Sequence, residues 1–131
     1  MAERISTVEL VRLVGELAPL VSILDQRIDQ VLAKMTQLEK AGLINATEHW
    51  RKDGGLPKYM YLLHPQKPGA RRQREYVGAD PAKIARARAG MARAGEHAQL
   101  ANQAAQLARD VRTIAENLRV AKHHLSHAIG S

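Results

Sequence analysis

The 131 residues contain no cysteine, so neither a disulfide framework nor thiol chemistry is open to the chain. The composition suits a reducing compartment, and a cytoplasmic location is expected. Phenylalanine is also absent, leaving one tryptophan and three tyrosines as the aromatic residues. The apolar content is mostly Ala, Leu, Val and Ile, which favours helix-on-helix packing over a sandwich or barrel. No apolar run approaches the roughly 18–20 residues of a membrane span, and Met1–Ser6 leads into a charged amphipathic segment instead of a signal peptide. Signatures of catalysis are missing as well. Residues 54–58, GGLPK, lack the glycine spacing and Lys-Ser/Thr ending of a phosphate loop, and neither G-x-S-x-G nor HExxH occurs. Glu3, Glu9, Glu16, Asp25, Asp29 and Glu39 fall on outward helix positions and read as solvated charges. A non-enzymatic protein without a cofactor is expected.

Positive charge is abundant, and it is concentrated. The formal net charge is +7, and Glu48–Gly95 alone holds eleven Lys or Arg against four Asp or Glu, so the rest of the chain sums to zero. Trp50, Tyr59, Tyr61 and Tyr76 lie in the same stretch. Such a localised basic region points to an anionic partner, nucleic acid first and an acidic protein second.

Ser6 followed by Glu9 forms a capping box and predicts a helix from about Thr7. Leu10, Val14, Leu17, Val21, Leu24, Ile28, Val31, Met35 and Leu38 alternate steps of four and three, the pattern of a single apolar helix seam. Pro19 interrupts the backbone bonding of this stretch. Either one bent helix runs to Ala41, or a first helix ends near Leu17 and a second begins at Pro19. Gly42 is the expected stop.

Short strands are predicted at Leu43–Trp50, Lys58–His64 and Arg72–Val77, with a turn at Asp53-Gly54-Gly55 and a Pro- and Gly-bearing loop after His64. The alternation in Lys58–His64 puts Tyr59, Tyr61 and Leu63 on one face and Met60 and Leu62 on the other. Same-face Tyr59 and Tyr61 are expected to pack on the helices, and so is Trp50; stacking of the tyrosines on nucleic-acid bases is the competing role.

Asp80-Pro81 predicts the start of a second helix, running to about His127 with a break possible at Gly90 or Gly95. Leu100, Ala104, Leu107, Val111, Ile114, Leu118, Ala121, Leu125 and Ala128 form a second seam as long as the first. The match predicts antiparallel pairing, Leu10 near Ala128 and Leu38 near Leu100. The alternative is pairing of the second seam with its own copy in a homodimer, and both can coexist in a four-helix arrangement. His123, His124 and His127 read HHxxH; His123 and His127 share a helix face, a spacing that can hold a metal. Charge complementing of the helix end is the expected role instead, with no metal bound.

The fold class expected is therefore mainly α with a small antiparallel β-hairpin or sheet, a helical stalk bearing a basic head, followed by a long C-terminal coiled-coil helix. Residues 1–78 would form the head and 79–131 a helix for packing or dimerisation. Phosphate contacts are expected from Lys58, Lys67, Arg71, Arg72 and Arg74 on the hairpin, and from Lys83, Arg86 and Arg93 on the following helix. A β-ribbon can enter a major groove, and its loop tip a minor groove.

Residues 30–44, QVLAKMTQLEKAGLI, with the polar strand after them, the wing tip RKDGGLPK (51–58) and the return strand YMYLL (59–63), resemble the second half of a winged helix–turn–helix domain of the MarR, PadR and ArsR type. Over residues 19–63 the resemblance implies a winged-helix-like head instead of the stalk, with a second helix at Pro19–Leu24, a turn at Asp25–Asp29 and a recognition helix after it. It further implies DNA contacts from Gln30, Lys34 and Gln37, with Arg27 beside them, and wing contacts from Arg51, Lys52 and Lys58. On these grounds the chain is expected to be a small, dimeric DNA-binding regulator of transcription or of a plasmid or phage, with DNA ahead of RNA. The alternative is a coiled-coil adaptor or inhibitor whose basic head docks on an acidic protein surface.

Overall fold

The computed structural model describes residues 3–130. In chain order, a three-stranded sheet falls between two long helices: α1 (Val8–Ala41), β1 (Thr47–Asp53), β2 (Leu56–Leu63), β3 (Arg74–Gly78), α2 (Pro81–Gly130). The protein is thus mainly helical, with a small antiparallel sheet and a long C-terminal helix.

Both helix starts follow their capping residues. The Ser6 hydroxyl accepts the Val8 amide at 3.2 Å, and the Asp80 carboxylate accepts the Ala82 amide at 3.1 Å. Helix α1 passes through Pro19 without dividing. The proline leaves the Gly15 carbonyl without its helical donor, but the surrounding turns are solvent-exposed, so water can take its place. The second helix at Pro19–Leu24 and the turn at Asp25–Asp29 implied by the winged-helix resemblance are therefore not formed. An uninterrupted seam with no glycine between residues 16 and 41 favours continuing the helix over turning. At its end the Gly42 amide reaches back to the carbonyls of Leu38 and Glu39, at 3.1 and 3.2 Å.

Helix α2 is likewise continuous, with no break at Gly90 or Gly95. The first strand begins four residues later than predicted. Residues 43–46 form a connection, because the Ile44 amide bonds to the Gly90 carbonyl at 3.1 Å instead of joining a ladder.

The sheet order is β1-β2-β3, antiparallel throughout. A two-residue Gly54-Gly55 turn joins β1 to β2, both residues at positive φ (61° and 82°), the backbone that matches the twist of a tight hairpin. Trp50 pairs with Met60, Arg51 with Tyr59, His49 with Tyr61, and Tyr61 in turn with Tyr76. Met60 and Leu62 are buried on the inner face and meet Ala87, with Ile44, Ala46, Trp50, Val77, Ile84 and Met91 around them. Trp50 is a packing residue, as expected.

The chain divides into two compact units: one is made from the parts of α1 up to Ala33 and of α2 from Ala104, the other is Lys34–Gln103. In the first, Val21, Leu24 and Ile28 line a groove with Val111, Ile114 and Leu118. In the second, His97 meets Glu39 at 2.8 Å and, just past the end of α1 and earlier along α2, Arg93 donates to the Gly42 carbonyl at 2.7 Å. Within each unit the two helices thus face one another in the antiparallel sense the seams predict. Among the described residues, no helix is long and apolar enough to cross a membrane.

Candidate nucleic-acid interface

Alternation along β2 allows only one of its faces to be buried. Met60 and Leu62 carry no group that needs a hydrogen bond, whereas each tyrosine hydroxyl needs a partner or water. The wholly apolar face goes inside, and Tyr59 and Tyr61 lie on the opposite side of the sheet, half-buried, with Tyr76 61% exposed. The expectation that the tyrosines pack against the helices is corrected by this arrangement. Tyr61 and Tyr76 meet edge to face, ring centroids 5.2 Å apart.

The register shifts between Arg51 and Lys52, whose partners are Tyr59 and Pro57, so Lys58 is the extra residue of a bulge in β2 opposite this point. Bulges re-aim side chains, and here three consecutive residues, Arg51, Lys52 and Asp53, border one cleft with Tyr59, Tyr61 and Tyr76. The Lys58 ammonium lies 5.4 Å from the Tyr59 ring centroid and pairs with Asp53 at 3.4 Å. Arg74, opposite Leu63 and two residues from Tyr76, shares the tyrosine face by alternation. The sheet thus presents three aromatic rings with cations around them.

Tyr76 also lines a second cleft, with Lys83 and Arg86 from the first turns of α2. Lys67 and Arg71 of the β2–β3 loop border a third, beside His64, Pro65 and the β3 residue Glu75. Arg72 braces that loop by donating to the His64 carbonyl at 3.1 Å.

The other expected site residues are divided between exposed and structural positions. Gln30 and Gln37 are exposed on α1, and Lys34 is paired with Glu96. Arg93 donates to the Gly42 carbonyl at 2.7 Å and so ties the end of α1 to α2. Arg88, in the same basic stretch, donates to Glu48 at 2.7 Å and lies 5.9 Å from the Trp50 ring centroid. Hydrogen bonds from Arg88 first, and then from the Trp50 indole, hold the Glu48 carboxyl below its ordinary range, against a small opposing effect of burial. Part of the local charge excess is therefore used internally, whereas Arg51, Lys52, Lys67, Arg71, Arg74, Lys83 and Arg86 face outward.

Sequence reasoning counted Arg93, bound to the Gly42 carbonyl, among the phosphate contacts, and it missed the rings as surface groups. The signal was available in β2, where a Met-Leu face competes with a Tyr-Tyr face. Among the described residues no group of three or more His, Cys, Asp or Glu side chains is placed to hold a metal ion. His123 and His124 lie side by side with ring centroids 6.0 Å apart. Compared with known proteins, the chain matches no family model, no curated protein and no solved structure.

Proposed function

We propose that this protein is a non-enzymatic DNA-binding protein that takes an unpaired strand across the tyrosine face of its sheet. The observation that carries the reading is the outward placement of Tyr59, Tyr61 and Tyr76 in one cleft with Arg51 and Lys52. Every base has a π-face, so a row of rings accepts unstacked bases with little regard to sequence, while nearby cations follow the phosphates. Arg74 extends this surface along the sheet, and Lys83 and Arg86 extend it past Tyr76. A duplex keeps its bases stacked and offers these rings nothing to stack on. In this reading the protein acts as a small regulator or accessory factor on DNA.

Fluorescence anisotropy with short single-stranded DNA, duplex DNA and single-stranded RNA at several salt concentrations tests the proposal. Tightest binding to single-stranded DNA, weakening as salt rises, is the expected result. Preference for duplex overturns the stacking mode, preference for RNA reassigns the target, and no binding at low salt overturns the function. In that last case, nuclease-insensitive capture of an acidic protein would favour the adaptor reading.

A further inference from the structure

The helical unit carries an apolar surface that the sheet unit does not need. Of the 19 exposed large hydrophobic residues among those described, all but Leu56 and Tyr76 lie on the parts of the chain up to Ala33 or from Ala104. On α1 the apolar positions extend beyond the seam: Leu13 and Leu20 flank one side of it and Val11 the other, at 45%, 59% and 69% exposure. A helix packed on a single neighbour needs a stripe about 100° wide, and these residues widen the apolar arc of α1 to roughly half its circumference. The pairing with α2 leaves even seam residues open, with Val21 at 49% and Val111, Ile114 and Leu118 at 39–40%.

Between the two helices run two grooves, of about 520 and 270 Å³. Ile28 and Val111 line both, so the grooves adjoin. Asp25 borders one and Arg112 the other. From Val8 to Ala33, α1 carries four acidic residues and two arginines, and from Ala104 to Gly130, α2 carries four basic residues and two acids. The two helices are therefore of opposite sign, net −2 and +2.

We infer that the occupant of this apolar surface is the same unit of a second copy, forming a symmetric four-helix dimer in which α1 of each chain lies beside α2 of the other. Two observations select a second copy. Opposite net charges make the surface complementary to itself when α1 meets the partner's α2, and they disfavour α1 against α1. Soluble monomers rarely expose contiguous apolar patches above a few hundred Å², whereas a stable interface uses about 20–30 residues from each partner. Leaving aside Ile5 before α1 and Val8, Ile23 and Val120 on the far sides of the helices, thirteen exposed large apolar side chains of this unit, with the alanines between them, supply most of such a surface. Two-helix units joined this way close into a four-helix bundle whose core is the pair of seams. The inference stands independently of nucleic-acid binding.

Sedimentation equilibrium of the full chain over a wide concentration range is the test, with the helical circular dichroism signal as a folding control. The expected species has twice the 14.5 kDa chain mass. Asp25→Arg with Asp29→Arg, and separately Arg112→Glu with Arg119→Glu, should each weaken the dimer about tenfold or more by turning attraction into repulsion. Mixing the two variants should restore a dimer containing one of each, because every α1–α2 pairing across the interface again joins opposite charges. A chain that remains at monomer mass throughout overturns the proposal, as does assembly only with a different protein. Folded variants that dimerise as tightly as the parent overturn the α1–α2 orientation.

Discussion

Ile44 rests on Gly90, its amide donating to the glycine carbonyl and its side chain occupying the space a Cβ there would need. A Cβ at position 90 would come within 2.5 Å of Ile44 Cδ1 and 3.2 Å of its Cβ. Glycine in a helix interior costs about 1 kcal/mol relative to alanine, and here close approach of the connection after α1 outweighs that cost. Gly90→Ala should therefore destabilise the protein, by about 1–3 kcal/mol through overpacking, despite its better helix propensity. Chemical denaturation measures this; a stabilised variant would show that Ile44 relaxes freely.

Met60 is completely buried at the centre of the sheet core. Met60→Ala should cost about 2–5 kcal/mol, the range for large apolar side chains removed from a packed site. The unfolding midpoint in denaturant is the readout, and a cost below this range would mean that the sheet collapses onto α2.

Tyr61 and Tyr76, by contrast, should matter to binding far more than to folding. Alanine at either position should weaken single-stranded DNA binding by about 1–3 kcal/mol for each base whose stacking is removed, while phenylalanine should largely preserve it. Anisotropy titration of the four variants, checked against their melting temperatures, separates the two roles. Equal loss of stability and affinity would return the rings to a structural part.

Removing one outward cation should change the salt dependence. For Arg51→Ala, Lys52→Ala or Arg74→Ala, the slope of log affinity against log salt should become shallower by about 0.7 for each single-strand phosphate that is no longer neutralised. Arg93→Ala serves as the contrast. Its guanidinium holds the Gly42 carbonyl, so it should lower stability by about 1–2 kcal/mol and leave the slope unchanged.

Glu48 should make stability depend on acidity. Its carboxyl is held below the ordinary range by Arg88 and Trp50, so the folded state favours the charged form. The resulting stabilisation is fully present above the ordinary carboxylate pKa and disappears as pH falls through the depressed folded value. The melting-temperature advantage of the parent over Glu48→Gln should therefore shrink as the solution is acidified. An advantage constant across that range would remove Glu48 as the cause.

Much of the architecture was legible in the residues themselves. Heptad spacing and capping residues located both helices, and Gly42, Gly54 and Gly55 marked where the chain turns. These features act within a few residues of one another, so they can be read without knowing what lies across the fold. The same locality misled at Asp25–Asp29, where a motif resemblance implied a turn and the continuous seam kept the helix.

What the sequence determined by itself was the helical character, the equal seams and the gathering of the net positive charge between Glu48 and Gly95. Tertiary structure decided which face of β2 is buried, and with it whether the tyrosines are core or surface. It also set apart Arg88 and Arg93, committed to Glu48 and the Gly42 carbonyl, from the cations left facing outward. The reason is physical: periodicity records that a strand has two faces, but only competition for one small core assigns the inside to Met60 and Leu62 and leaves the tyrosine hydroxyls to water.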